Sequence, residues 1–401
     1  MDPVLAFLAA IIAVSLMIPK LGPFLSLVVS SIFYGLLVGM GAELMSNVAT
    51  GMGRIFSSLA IVIFAGAIIA EYLRKTGAID RIVADLQSLT HRSLLVAGAA
   101  GYIVSLPVMC SITAFMILEP VVSCLGQQAG GASKRFLFMT AACSIISFNL
   151  IYPSPVMVSL SNDLDVPANQ LLARGIPISL ILFILAYIIM MRLPAEGSAA
   201  SECPLPKIGR ARAWIPLALP MLLILLGFLG DKARFIGNPS FALLLSALLC
   251  LAMAREKIQD IIHIASRRSG VILLDLCGAG AFGYVVAQSG IGEEIYGFGR
   301  QMPLLLLPFL VAAILQLAQG SRVVTVVVAA QVLAGYPLDG LTLALLISSG
   351  AFMFSYISDP YFWLIKSSTG ACMGEVVKGY TLPLGIMGLA SFAITAIYFL
   401  L

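Results

Sequence analysis

The sequence predicts an all-α polytopic membrane protein of two inverted-topology repeats, with about 10 transmembrane helices, two re-entrant helical hairpins and two broken helices. Three observations predict it. Sixty per cent of the 401 residues are apolar and 10% are charged, against roughly 25% charged in soluble domains. One polar linker divides the chain nearly in two. Interrupted apolar segments recur at matching places on either side of that linker.

Apolar runs close to the roughly 20 residues that cross the hydrocarbon lie at 3–19, 23–42, 55–73, 171–191, 213–230, 241–254, 271–287 and 382–401. They leave no stretch for a sizeable aqueous domain. The opening Met1-Asp2-Pro3 lacks the basic segment of a signal peptide, so the first run is expected to remain as a span. The seven cysteines show no CxxC pairing, and most lie in apolar runs where the thiol acts as a small hydrophobe. Neither disulfides, a metal site nor a cofactor is expected. The formal charge of +4 belongs to loops and bears on topology, not on nucleic acid.

The linker, 193–212, is rich in Pro, Gly, Ser and charge. It separates a first repeat, 1–192, from a second, 213–401. A shift of 213 residues aligns Thr76-Gly77 with Ser289-Gly290 and Asp80 with Glu293, and a shift of 206 aligns Phe148 with Phe354 and Pro177 with Pro383. Basic loops stay on the cytoplasmic side. Arg74, Lys75, Arg81 and Arg92 follow the third span of the first repeat. In the second repeat Arg255, Lys257, Arg267 and Arg268 precede the third span, and Glu293 and Glu294 follow it. The repeats are therefore predicted to be inverted, with the linker cytoplasmic and both termini outside the cell membrane.

The hairpins are predicted at 94–125, broken at Ser105-Leu106-Pro107, and at 303–333, broken at Gln319-Gly320-Ser321-Arg322. Proline removes an amide donor and disfavours continuous helix. The crossing after each hairpin is interrupted too, at Tyr152-Pro153-Ser154-Pro155 and at Ser358-Asp359-Pro360. One such break is an ordinary kink in a membrane helix. Four in two matched pairs point to a transport site, because irregular backbone at this depth must line a cavity or be buried in protein.

Ionisable groups inside spans cost on the order of 2.5–3.5 kcal/mol at a helix centre, which singles out Glu71, Glu119, Asp275, Arg322, Asp359 and Lys366. Arg322 at a hairpin tip has two roles open to it: two-pronged binding of a substrate carboxylate, or an ion pair with Asp359 or Asp275. Asp359 either accepts a proton or helps hold a cation, or it caps the helix that starts at Pro360. Glu119 and Asp275 are further coupling-ion candidates; Glu71 and Lys366 are close enough to span ends to snorkel. Ser111, Thr113, Asn149, Ser154, Ser321, Thr325, Ser355 and Ser358 cluster at the breaks. With Gln319 and Gly320 they describe a polar pocket for a small anion or for sodium. His91 and His263 are read as solvated loop residues.

These residues resemble the gluconate permease family, or a closely related and less characterised branch of the wider ion-transporter superfamily. The resemblance rests on Cys-Gly-Ala-Gly-Ala-Phe-Gly at 277–283, Ala-Gln-Gly-Ser at 318–321, and Ser349-Gly350 followed by Phe354-Ser355, Asp359 and Phe362-Trp363-Leu364. Leu106-Pro107 and Tyr152-Pro153 fall where the family has its first hairpin tip and its proline-rich break. Three places depart from that pattern: Ser111 replaces an acid, Ser154-Pro155-Val156 replaces His-Pro-Gly, and Arg322 replaces a small residue. The resemblance implies symport of a small organic anion, coupled to a proton more than to sodium, and allows a homodimer. An anion-selective channel is the alternative. An intramembrane enzyme is the remote third reading, since the chain carries no catalytic set such as HExxH, and no Walker-type GxxxxGK[ST] loop is present to power a primary pump.

Overall fold

The computed structural model describes residues 2–90, 92–130, 133–194, 206, 208–230, 233, 235–299 and 302–400. His91, Cys203 and most of the 193–212 linker lie outside the described residues. Among the described residues the chain is helical, with turns and no strand.

The chain opens with α1 (Pro3–Val38), and then one succession of elements occurs twice. In its first occurrence a long span, α2 (Leu44–Thr76), leads through left-handed Gly77 into the short α3 (Ala78–Leu89). A helix pair follows, α4 (Ser93–Val108) with α5 (Ser111–Gln128), then an interrupted helix, α6 (Ser133–Leu150) with α7 (Pro155–Asp163), then the span α8 (Ala168–Met191). After α9 (Arg210–Gly227) and α10 (Pro239–Met253), the second occurrence begins with the long α11 (Ile258–Gln288) and the short α12 (Ile291–Gly299). The pair is now α13 (Leu306–Gln319) with α14 (Arg322–Val332), and the interrupted helix α15 (Gly340–Gly350) with α16 (Pro360–Thr369). The short α17 (Met373–Val376) and a π-helical turn at 377–381 lead into the last span, α18 (Leu382–Leu400).

Among the described residues, seven helical segments are long and apolar enough to cross a bilayer, by length and composition. The chain is thus a multi-pass membrane protein. Its polarity is sorted accordingly. Leu16, Ile184 and Leu222 are among many large apolar side chains left exposed, while Ser144, Asn149, Gln316 and Thr325 are fully buried. Helix α6 lies deep in the protein, with residues 136–150 all buried, and α14 is buried along its whole length.

Small residues let the helices approach to backbone contact, the usual packing route where lipid is as apolar as leucine. Where α2 crosses α11, a Cβ on Gly51 would fall 2.3 Å from the Gly280 carbonyl oxygen. Where α4 meets α6, a Cβ on Gly101 would fall 2.4 Å from the Thr140 carbonyl. Amphipathic α3 buries Ile79, Ile82, Val83 and Leu86 on one face, the spacing of a single helical stripe. Its Asp85 accepts from Arg210 and from the Trp214 indole, each at 3.0 Å, and so ties α3 to α9.

Helix α1 takes up the first two apolar runs as arms that fold back at Gly22, whose φ of 74° and ψ of 169° are non-helical. The arms run in opposite directions along α11. Phe7 stacks on Phe282, the Phe24 amide donates to Asp275, and the Tyr34 hydroxyl meets Ser289.

Three expectations are corrected. The first hairpin does not break at Ser105-Leu106-Pro107: α4 runs through Pro107 to Val108 and reverses at Met109 (φ 57°) and the extended Cys110. A proline in the last turn removes one donor without forcing a reversal, which needs a left-handed residue. The second interrupted helix opens over residues 351–359, well beyond Ser358-Asp359-Pro360. Cys124 is disulfide-bonded, against the expectation of none; Cys110, Cys143, Cys250, Cys277 and Cys372 are free.

The glycine contacts generate a test. Gly51→Ala drives a methyl group into the α11 backbone and lowers the thermal midpoint of the purified protein, overpacking costing about 1–3 kcal/mol. Gly53→Ala, with open space around its Cβ position, leaves the midpoint unchanged or slightly raised. Equal midpoints for the two variants would refute the close crossing.

Candidate functional site

Four interruptions converge on one cavity of about 230 Å³, far above the roughly 10–15 Å³ that one water requires. Its walls come from the first hairpin tip (Cys110, Ser111, Ile112), the second tip (Gln319 to Val324), and the two broken helices (Phe148 and Pro155; Ser358, Asp359 and Pro360). The α1 turn contributes Ile18 and Pro23, and α11 contributes Asp275.

The second tip is shaped by Gly320, which caps α13 at φ 69°. A Cβ there would fall 1.9 Å from the Ser358 carbonyl oxygen, so the tip lies directly against the backbone of the broken helix. Ser321 is extended and α14 starts at Arg322. The turn therefore delivers a guanidinium, 5% exposed, to the start of α16. There Asp359 caps the helix, its Oδ1 accepting from the Tyr361 amide at 2.9 Å. Its Oδ2 accepts from Arg322 Nη2 at 3.0 Å and from the Tyr380 hydroxyl at 2.8 Å. Nη2 also donates to Ser355 Oγ at 2.6 Å and Tyr380 Oη at 3.1 Å. Of the two roles open to Arg322, this conformation holds the ion pair with Asp359, not with Asp275.

All three of these protein bonds fall on one guanidinium nitrogen. Nε is buried without a partner, as are the Ser358 hydroxyl and both amide atoms of Gln319. Buried polar atoms left without partners cost about 1–3 kcal/mol each, so they mark places where a solute or water completes the bonding. The cavity thus presents one guanidinium, two carboxylates, an amide and hydroxyls, a set suited to a small polar solute.

The remaining expected residues are distributed around this centre. Ser154 caps α7, its Oγ accepting from the Met157 amide. Thr325 donates to Gln316 Oε1 at 3.0 Å and so clasps α13 to α14. Ser355 serves Arg322. Asn149 is fully buried with both amide atoms unpartnered, and its carbonyl accepts from Ser348. Pro107 and Pro153 are buried and do not line the cavity. Glu119 sits half-buried on α5, away from the cavity wall. Thr113 opens onto a separate groove of about 550 Å³ between α5 and α11, lined by His263, Arg267, Arg268 and Ile272. Ile272 also lines the cavity, so the groove adjoins it. Asp275 bonds the Phe24 amide at 3.2 Å and stands at the α1 turn. Glu71 does not snorkel: it is 1% exposed and paired with Arg74 and Arg268, which joins α2 to α11.

Sequence reasoning missed Tyr380, the fully buried partner of both charges. Its only trace is a tyrosine in an apolar run, whose hydroxyl needs a partner once buried.

A polytopic helical protein with interrupted helices around a polar cavity belongs to the class of membrane transporters, and the comparisons with known proteins agree. The model of the GntP family permeases matches residues 3–207 and 225–401, and the chain belongs to that family. It is a permease of the inner membrane, not an enzyme. It is 27% identical to the low-affinity gluconate transporter of Escherichia coli (strain K12), over 92% of this chain and 91% of the relative. It is 25% identical to the D-serine transporter DsdX of the same organism, over 93% and 92%. Among solved structures, the fold is similar to the YdaH transporter of Alcanivorax borkumensis, with TM-score 0.70, 14% identity and coverage of 96% of this chain and 98% of that one. MtrF of Neisseria gonorrhoeae is similar at TM-score 0.64 and 13% identity, over 89% and 84%. At such identities the likeness is one of fold.

The buried cluster predicts a stability order. Tyr380→Phe removes a hydrogen bond to charged groups, about 1.5–3 kcal/mol. Arg322→Ala strands a buried carboxylate and costs about 3–5 kcal/mol. In thermal melts, Arg322→Ala with Asp359→Ala is less destabilising than the two single changes summed; strict additivity would show that the charges do not depend on each other.

Proposed function

We propose that the chain is a secondary active transporter that carries a small organic anion, a carboxylate or sugar acid, together with a proton. The observation that carries this is the charge balance of the cavity. One guanidinium, Arg322, faces two carboxylates, Asp359 and Asp275, and is already paired with the first. An entering carboxylate meets net repulsion until a carboxylate is neutralised. Protonation of Asp359 frees Arg322 to take the solute in a two-pronged manner, so anion and proton bind together. The gluconate transporters among the relatives support this substrate class.

In this reading 1–192 and 213–401 are inverted repeats, α4–α5 and α13–α14 are re-entrant hairpins, and alternating access moves one set of walls against the other. The matching succession of elements supports the repeats, and the distribution of basic residues supports the inversion, with the linker cytoplasmic and both termini outside. The exposed His263 and Arg267 of the α5–α11 groove would then gather anions on the cytoplasmic side. A zwitterionic amino acid is the second reading, favoured by Asp275, a carboxylate in the same cavity that can receive an ammonium group; DsdX is a relative of that kind.

Uptake into proteoliposomes tests the proposal, with gluconate and D-serine as probes. Saturable accumulation of gluconate under an inward proton gradient is expected. Asp359→Asn keeps solute exchange and loses gradient-driven accumulation. Accumulation unaffected by Asp359→Asn, or driven by sodium alone, would sink proton coupling through Asp359, and non-saturable flux would point to a channel. Cysteines placed at 81 and 293 are expected to label from opposite sides; labelling from one side removes the inversion.

A further inference from the structure

A second basic pocket lies apart from the transport cavity, at the start of α6. Lys134 and Arg135 of α6 and Lys378 of the π-helical turn line it, together with Phe138, Leu193, Pro194 and Glu375, around about 90 Å³. Among the described residues three cations meet one carboxylate here. Glu375 bonds Lys134 at 3.2 Å, while Arg135 keeps a buried Nε without a partner. The remaining wall is apolar. Like charges gathered around a cavity repel one another, and an anion relieves that repulsion; an arginine beside lysines suits phosphate in particular.

What lifts this pocket above a solvated basic patch is the segment that forms one of its walls. Residues 377–381 make a π-helical turn, a wide turn often found at functional sites. Within it Lys378 faces the pocket and Gly379 packs on Phe138, where a Cβ would lie 2.5 Å from the ring. The next residue, Tyr380, bonds both Asp359 and Arg322, and Thr381 donates to the Ser355 carbonyl at 2.7 Å. The pocket's Lys378 and the ion pair's partner Tyr380 thus lie two residues apart in one short turn.

We propose that this pocket binds a phosphate-bearing anion and that the π-helical turn transmits its occupancy to the Arg322–Asp359–Tyr380 cluster. Drawing Lys378 toward an anion moves the turn that positions Tyr380, which biases the pairing of Arg322 and Asp359. Both a lipid headgroup and a dissolved phosphate offer this chemistry. The apolar wall of Phe138, Leu193 and Pro194 matches a headgroup with chains attached.

The test uses the purified full-length protein in detergent, with inorganic phosphate and short-chain phosphatidylglycerol as separate probes against potassium chloride of equal ionic strength. Thermal midpoint and amide hydrogen exchange over 377–381 are read for wild type, Arg135→Gln/Lys378→Gln and Glu375→Gln. An upward midpoint shift with slowed exchange at 377–381 is expected in wild type, lost in the double variant and kept in Glu375→Gln. A response to phosphate alone assigns a dissolved anion, and a response to phosphatidylglycerol alone assigns lipid. No shift beyond the chloride control, or an equal shift in the double variant, overturns the site. A shift with unchanged exchange at 377–381 overturns the coupling. Neither readout needs a transported solute, so this result is separable from the transport proposal.

Discussion

A guanidinium buried at membrane depth has to be met by an anion, and much of the second half of the chain is arranged around that requirement. Arg322 is brought inward by a turn that only a residue without a side chain can make at Gly320. Asp359 is brought to it by an interrupted helix, which the carboxylate itself caps. Tyr380 reaches both from a turn that departs from α-helical geometry. Each of these irregularities is costly alone in an apolar medium, and each supplies a partner to the others. Removing one leaves the remainder unsatisfied, which binds three separate elements into one polar unit.

The outer frame meets the opposite constraint. Its long helices α2 and α11 present apolar surface to lipid and approach each other through glycine. Their one buried carboxylate, Glu71, is paired within the frame by Arg74 and Arg268. Among the described residues, buried carboxylates are thus paired in two places, one fastening the frame and one in the cavity.

The sequence was most legible where local chemistry dictates backbone. Gly320-Ser321 and Tyr152 to Pro155 are breaks in the structure as in the sequence, because glycine and proline act on their own residues. The estimate from Pro107 fell two residues short, since a proline late in a helix does not by itself reverse it. The opening at 351–359 was caught only at its proline end: nothing local marks Phe354 for its positive φ of 53°. Tyr380 was invisible because its role depends on Arg322, 58 positions away. The same limit applies to Ser355 and Thr325, whose bonds to Arg322 and Gln316 no local pattern announces. Residue type shows that a hydroxyl is present; packing decides what it bonds.

The contact between Gly320 and the Ser358 carbonyl also limits how such a molecule can acquire new preferences. Tip and broken helix are interlocked atom against atom, so a substitution that adds bulk at either must be answered at the other. The first hairpin is held in a similar way at its tip, where a Cβ on Gly66 would fall 2.6 Å from the Met109 side chain and 2.9 Å from the Val108 carbonyl oxygen. Change in the lining is therefore open at side chains such as Ser111 and Ile112 and closed at Gly320, where no Cβ fits.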